Sequence, residues 1–309
     1  MTTVAPARHS AGPDTMASPP KSARPKSPRR RPRRGVPRTG ELVLRYGLML
    51  VAVLSVLGPL LWQVSTSLKG PGESTTSFPA GFIPQHPTLA NYQAALSDIP
   101  LAHYLLNSTL IALMSIIGNV VLATLTGYAL GRMRFRGRNI YFLILLATAA
   151  LPFEVILVST LLVTRQVHLQ NTFLGVVLPH AVSVMSIFVM RQAFMVLPGE
   201  LEEAAVIDGA NQFRVFTQIM LPSVWGSIAV VATLAFIQGW DQFIWPLVIL
   251  SSQDKYPVTV GLQFLSGTFS ADQRVIAAGT VLVLLPPLVV FFIMQKKMFR
   301  GLAEGALKG

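Results

Sequence analysis

Long apolar runs dominate this sequence and restrict its fold more than any other feature. Apolar residues make up 52% of the 309 residues and charged residues only 12%, against about 25% charged in an average soluble protein. A helix needs about 20 apolar residues to cross a hydrocarbon core about 30 Å thick. Six stretches meet that length, at 46–66, 108–130, 140–163, 173–194, 224–250 and 275–295. We therefore predict an all-α, polytopic membrane protein with six transmembrane helices.

The N-terminal region has a different composition. The first 45 residues hold 11 of the 25 lysines and arginines, set among prolines and serines. So little apolar surface cannot offset the entropy of ordering. We expect residues 1–41 to be a disordered, basic cytoplasmic tail lying against anionic lipid rather than a nucleic-acid-binding arm, and residues 42–309 to form the transmembrane domain. The paired arginines suggest a twin-arginine signal, but no small-residue cleavage site ends the first apolar run, so an uncleaved span is favoured.

The distribution of positive charge predicts the orientation. If the N-terminus is cytoplasmic, the inner segments hold 21 lysines and arginines, and the outer segments hold only Lys69, Arg165, Lys255 and Arg274. Cytoplasmic loops carry such an excess of positive charge. We expect both termini, and the loop at about 196–222, to lie on the cytoplasmic side of the plasma membrane.

That inner loop is unusually polar for so hydrophobic a chain. Glu200, Glu202 and Glu203 place negative charge at the start of a predicted helix, where the helix dipole favours it. This helix should run to about Asp208, and Gly209 should provide the turn. A second helix is predicted over 211–219, with Asn211 as its N-cap and an apolar face of Phe213, Val215, Phe216 and Ile219.

The loop also carries a recognisable motif. Glu203-Ala204-Ala205 is followed by Gly209, and Leu221-Pro222 closes the segment. This resembles the EAA loop of binding-protein-dependent ABC transporter permeases, where the pattern reads E-A-A-x-x-x-G with a later hydrophobic-Pro step. The chain is similar to the smaller permease of maltose-type carbohydrate importers over about 42–309. Further matches are Asn91-Tyr92, Asn107-Ser108, Leu197-Pro198 and the ending Gly305-Ala306-Leu307-Lys308-Gly309.

The resemblance implies a type I ABC importer permease with the MetI-like fold, and it implies partners. These are an ATP-binding cassette ATPase dimer, a sister permease and an extracytoplasmic solute-binding protein. The ATPase contacts implied are Glu203, Ala204, Ala205, Asp208 and Gly209 in the loop, with Lys308 and Gly309 as a second contact. Asp208 could equally cap the turn locally. The competing interpretation is a solvated hairpin that only links two spans.

No catalytic or cofactor motif is present. The chain lacks G-x-x-x-x-G-K-[ST], H-E-x-x-H, a Cys/His cluster and a serine elbow. We therefore expect no enzyme activity, no metal and no cofactor bound by this chain, with ATP used by the partner ATPase. The absence of cysteine excludes disulfides and leaves the compartment open.

Polar residues inside the predicted spans are candidates for a substrate pathway, because charges there usually face a cavity or a partner. Asp241 interrupts the fifth span within an aromatic and amide cluster, and such groups suit sugars. The alternatives are aromatic anchoring at the outer interface, a backbone-bonded carboxyl for Glu154, and a packing role for His180. The predicted pathway residues are Glu154, Gln238, Trp240, Asp241, Gln242 and Trp245.

The resemblance implies an ATP-driven importer subunit. Sugars are the first expectation for its solute, and polyols of the glycerol-phosphate type are the alternative. A proton-coupled secondary transporter using Glu154 and Asp241 is less favoured, because the chain shows no internal repeat. The outer segment 69–106 is too polar and proline-rich to enter lipid, and it is the expected surface for the binding protein.

Overall fold

The computed structural model describes residues 39–79, 81–265 and 272–306, with side chains up to residue 295. The predicted tail up to residue 38, and the predicted contacts Lys308 and Gly309, lie outside these residues. Every regular element in the described ranges is helical, which confirms the predicted all-α class. The chain divides into two units, residues 1–52 and residues 53–309.

Fourteen α-helices lie within the described ranges, joined by short 3₁₀ and π-helical turns. They are α1 Thr39–Ser67, α2 Ala90–Asp98, α3 Leu101–Gly131, α4 Arg138–Thr148, α5 Phe153–Gln166, α6 Phe173–Val177, α7 Val184–Val196, α8 Glu200–Ile207, α9 Gln212–Val215, α10 Leu221–Ser223, α11 Trp225–Asp241, α12 Ile244–Ile249, α13 Val258–Phe264 and α14 Gln273–Ala306.

Three helices within the described residues are long and apolar enough to cross a membrane, at Gly40–Ser67, Leu101–Gly131 and Gln273–Gln295. They contain the first, second and sixth predicted spans. Three bent helix pairs pass the same test together, at Arg138–Thr148 with Phe153–Gln166, Phe173–His180 with Val184–Val196, and Gln212–Ser223 with Trp225–Asp241. The structure thus has three continuous spans, or up to six if each bent pair is one span.

The predicted third span is sharply bent, because its sequence interrupts the helix. Its two halves meet at an angle of 101°. Pro152 lies at the N-cap of α5 with an extended backbone, ψ 139°. Proline lacks an N–H and disfavours helical backbone in the residue before it, so α4 ends and a new helix begins. The break at Pro152 therefore divides the predicted third span into two helices.

The centre of the larger unit is α3, which packs against α7 and α11. One core cluster joins the C-terminal half of α3 to α7 and to the segment 205–231, and it includes Leu130, Met190 and Phe194. A second cluster joins the N-terminal half of α3 to α2, α11 and α14. A third joins α3 to α6 and α12 around Trp245. The polar loop and the middle of α11 are therefore both positioned by the same central helix.

Candidate functional site

The polar loop at about 196–222 folds into a short helical hairpin of α8 and α9. Asn211 caps α9, because its Oδ1 accepts a hydrogen bond from the Arg214 amide at 2.8 Å. Gly209 forms the turn with φ +80°, a left-handed conformation that residues with a Cβ adopt at a cost. Both local predictions are confirmed. The first helix ends one residue earlier than predicted, at Ile207, with Asp208 as its C-cap.

The hairpin is anchored to the bundle on one side. Ala205 and Val215 are buried in the same cluster as Phe194 of α7. Tyr128 of α3 lies against Phe216, with ring centroids 4.8 Å apart. These apolar contacts connect the hairpin to α3 and α7.

An ion pair adds a polar connection at the start of the hairpin. Arg132, directly after α3, donates from Nε to Glu202 Oε1 at 3.1 Å and from Nη2 to the Pro198 carbonyl at 3.1 Å. The two side chains of the ion pair are 14% and 28% exposed. Charge-assisted hydrogen bonds of this kind are stronger than neutral ones. The end of α3 is therefore joined to the first turn of α8.

The other side of the hairpin faces outward. Of the predicted contact residues, Glu203, Ala204, Asp208 and Gly209 are exposed, whereas Ala205 is buried. Ile207 is 85% exposed and Phe213 is 74% exposed. Phe213 was expected to share one apolar face with Val215, Phe216 and Ile219, but it is exposed whereas Val215 is buried. It lies near the start of α9, whereas the inward contacts come from Val215 and the π-helical turn that follows.

A second feature is a partly open cavity of about 510 Å³. Its walls come from α3, the α4–α5 break, the α6–α7 connection and the end of α11. The lining residues are Ser115, Asn119, Thr148, Leu151, Phe153, Ile156, Pro179, His180, Val182, Ser183, Ala235, Ile237, Gln238, Gly239, Asp241 and Gln242. The bend of the third span is thus one wall of this cavity.

The close approach of α3 and α11 places polar groups at the cavity. A Cβ on Gly239 would lie 2.8 Å from Ser115 Oγ and 3.0 Å from the Cα of Ala112, so only glycine fits there. Two residues further on, α11 ends at Asp241, because Gln242 has an extended backbone with ψ 127°. The predicted break in the fifth span is therefore confirmed, and it exposes Asp241 to the cavity.

The structure brings half of the predicted pathway residues together. Gln238, Asp241 and Gln242 line the cavity. Trp240 is 5% exposed and stacks on Phe236. Trp245 is 2% exposed and donates from Nε1 to the Gly175 carbonyl at 3.0 Å. Glu154 lies exposed in the first turn of α5 and is not among the lining residues.

Ser115, Asn119 and His180 are among the lining residues that were not predicted for the pathway. Ser115 and Asn119 are buried in α3, and their side-chain oxygens find no hydrogen-bond partner. Their signal in the sequence was a serine and an asparagine four residues apart within an apolar run. His180 was expected to have a packing role, and its ring does lie 4.3 Å from that of Phe153, but it also lines the cavity.

One carboxylate holds the segment that follows α1. Glu73 accepts hydrogen bonds at 2.9 Å from the backbone amides of Gln85, Gly70 and His86. These bonds, that from Gln85 foremost, lower the pKa of Glu73 to about 2. Arg274, in the first turn of α14, donates to the Gly70 carbonyl at 2.6 Å. The segment after α1 is therefore joined to the start of α14.

Comparisons with known proteins agree with this architecture. Residues 120–303 match the family model described as "Binding-protein-dependent transport system inner membrane component". An arabinooligosaccharide transport system permease protein of Halalkalibacterium halodurans is 31% identical over 269 residues, covering 86% of this chain and 96% of the relative. An sn-glycerol-3-phosphate transport system permease protein of Pectobacterium atrosepticum is 32% identical over 276 residues, covering 86% and 98%.

A solved structure supports the fold. A chain in the crystal structure of a bacterial ABC transporter involved in the import of the acidic polysaccharide alginate superposes with a TM-score of 0.73 and 22% identity, covering 84% of this chain and 98% of that one. The family consists of membrane transport components rather than enzymes. These matches show that the chain belongs to the inner-membrane components of binding-protein-dependent transport systems.

Proposed function

We propose that this chain is the permease subunit of an ATP-driven sugar importer. It is coupled to a separate ATPase through the polar loop at about 196–222, which contains the hairpin of α8 and α9. The observation that carries the proposal is that this chain, a member of the family, has a hairpin with one buried and one exposed side. Ala205 and Val215 are buried against the bundle, while Glu203 and Asp208 are exposed. A partner can bind the exposed side of such a hairpin, and the buried side can then transmit the movement to the helices that it contacts.

The exposed tip of the hairpin favours docking over a merely solvated loop. Ile207 and Phe213 keep 85% and 74% of their surface accessible, although both are large and apolar. A contiguous apolar patch rimmed by charges is typical of an interaction surface. Glu203 and Asp208 are exposed in the same hairpin and suit a basic or polar site on the ATPase.

The contacts behind the hairpin support a mechanical role. Arg132 joins the end of α3 to Glu202, and Phe216 packs on Tyr128. A displacement of the hairpin would therefore be transmitted to α3 and α7. Closing of the ATPase dimer on ATP would then tilt these helices between inward-open and outward-open states, because packed elements move as rigid bodies.

The partners and orientation complete the proposal. We place both termini and the hairpin in the cytoplasm, following the excess of positive charge in the inner segments. A sister permease would form the other half of the pathway. An extracytoplasmic binding protein would deliver solute to the outer face, where the segment 69–106 lies. This chain binds no ATP in the proposal, and the ATPase hydrolyses it.

The relatives support two solute classes. One transports arabinooligosaccharides by name and the other sn-glycerol-3-phosphate, so polyols of the glycerol-phosphate type are the second candidate. The amide and carboxylate groups of Gln238, Asp241 and Gln242 at the cavity favour sugars, whose hydroxyls need hydrogen bonds. Membership of the family argues against a proton-coupled carrier.

The test is purification and transport. The tagged chain, extracted from its native membrane, should carry an ATPase and a second permease, and the reconstituted complex with its binding protein should take up solute only with ATP. Uptake without ATP, driven by a proton gradient, would refute the proposal. The chain has no cysteine, so single cysteines at Ile207 and Ile83 test the orientation. A membrane-impermeant maleimide should label Ile83→Cys, and not Ile207→Cys, in intact cells.

A further inference from the structure

Three buried oxygens at the cavity lack a hydrogen-bond partner. They are Ser115 Oγ, Asn119 Oδ1 and Gln242 Oε1. Ser115 is 5% exposed and Asn119 only 1%. The other buried side-chain oxygens without a partner in the described residues are those of Thr66 and Thr124, and neither lines this cavity. The unmet hydrogen-bonding capacity of the bundle is therefore concentrated at one place.

Such groups are costly in a membrane protein. A buried polar group without a partner destabilises the fold, and hydrocarbon surroundings offer no replacement partner. All three groups are uncharged, and each can accept a hydrogen bond from a hydroxyl. A volume of about 510 Å³ lies within the usual range of small-molecule sites. The cavity thus suits a ligand that brings several O–H donors.

The charge of the lining points the same way. Among the described residues that line the cavity, Asp241 is the only carboxylate, and there is no lysine or arginine. Phosphate and carboxylate groups are recognised by arginine and lysine, with bidentate or point-charge contacts. An anionic solute would meet a negative charge here instead, at a cost set by Coulomb's law. Phe153, Leu151 and Ile156 provide apolar surface for the C–H faces of a sugar ring.

We infer that this cavity selects uncharged, hydroxyl-rich solutes and disfavours those that carry a phosphate, sulfonate or uronate group. The inference rests on the proposed importer function and narrows its solute class to neutral sugars. Ser115 and Asn119 of α3 accept hydrogen bonds from hydroxyls of the solute. Gln242, at the break after α11, does the same, and Asp241 repels anions.

The test is binding to the full-length chain in lipid nanodiscs, without ATPase or binding protein. Saturation-transfer NMR detects weak ligands, and the probes are methyl α-glucoside and methyl α-glucuronide, which differ only in a hydroxymethyl and a carboxylate. The glucoside should bind, and the glucuronide should bind about tenfold more weakly. Asp241→Lys should reverse that order, and Asp241→Asn should bring the two probes close together.

Matched variants separate the cavity from general packing. Ser115→Ala and Asn119→Leu should weaken glucoside binding several-fold, whereas Thr124→Val, which removes a buried unpaired hydroxyl elsewhere on α3, should leave it unchanged. Equal binding of both probes, no binding of either, or equal effects of all three variants would overturn the inference. The importer proposal has a separate test, which is ATP-dependent uptake by the complete importer. That uptake can persist when the inference about the cavity fails, so the two proposals fail separately.

Discussion

Arg132 Nε and Glu202 Oε1 lie 3.1 Å apart, 70 positions apart in the sequence. This ion pair links the end of the central helix α3 to the first turn of α8. Arg132 also donates to the carbonyl of Pro198, so a single side chain contacts both the first turn of α8 and the chain two residues before that helix. The connection is on the path by which we propose that the ATPase moves the membrane helices.

The first prediction concerns this pair. Arg132→Gln and Glu202→Gln should each lower stability, and a double-mutant cycle should return a coupling free energy of about 0.5–1 kcal/mol, because the pair is only partly shielded from solvent. Reversible unfolding in mixed micelles measures it. Glu200→Gln is the control, since Glu200 is exposed and has no ion pair within the described residues. Additive single effects would show that the two side chains act independently.

The second prediction concerns the turn of the hairpin. Gly209 has φ +80° and open space around its Cβ position, so a substitution there is penalised by its backbone and not by a clash. Gly209→Ala should destabilise the hairpin by about 1–2 kcal/mol, and Gly209→Asn by less, because asparagine tolerates this conformation. Thermal unfolding of the purified variants compares the two.

Gly209→Asp adds a charge to the proposed docking face. We expect this variant to insert normally and to lose transport, measured as ATP-dependent uptake beside membrane content by immunoblot. Normal uptake with the ATPase still bound would contradict the coupling role of this turn.

The third prediction is a pH dependence of the outer segment. The pKa of Glu73 is lowered from 4.5 to about 2 by three backbone amides, so the folded state favours the ionised carboxylate. Its contribution is fully present above about pH 4.5 and is lost as the pH falls towards 2. The stability difference between the wild type and Glu73→Gln should be constant at neutral pH and shrink below 4.5. Thermal unfolding across this range measures it, and a constant difference down to pH 2 would refute the assignment.

The fourth prediction concerns the contact between α3 and α11. Gly239→Ala would place a Cβ within 3.0 Å of Ser115 and of the backbone of Ala112. We expect a loss of about 1–3 kcal/mol, typical of overpacking. Gly199→Ala is the control, because nothing lies within 4 Å of its Cβ position. An unchanged melting temperature for Gly239→Ala would show that the two helices can separate at no cost.

Local features were predictable because they depend on neighbouring residues. Asn211 is an N-cap and Gly209 a turn since each acts on backbone a few residues away, and both are where the sequence indicates. The exposure of Phe213 was not predictable, because the face that a short helix buries depends on the angle at which the helix meets the bundle. Only the buried cluster that includes residues of α3 and α7 shows that Val215 is buried and Phe213 exposed.

The number and approximate limits of the apolar segments follow from the residues alone, since the cost of placing a segment in hydrocarbon is close to a sum over its side chains. The family motif at Glu203 to Gly209 is equally local. The cavity is not, because it needs four separate segments to meet. Ser115 and Asn119 line it and Trp240 and Trp245 do not, although all four lie in apolar runs. Which side of a helix faces a void depends on the helices packed around it, and that packing is a property of the folded bundle.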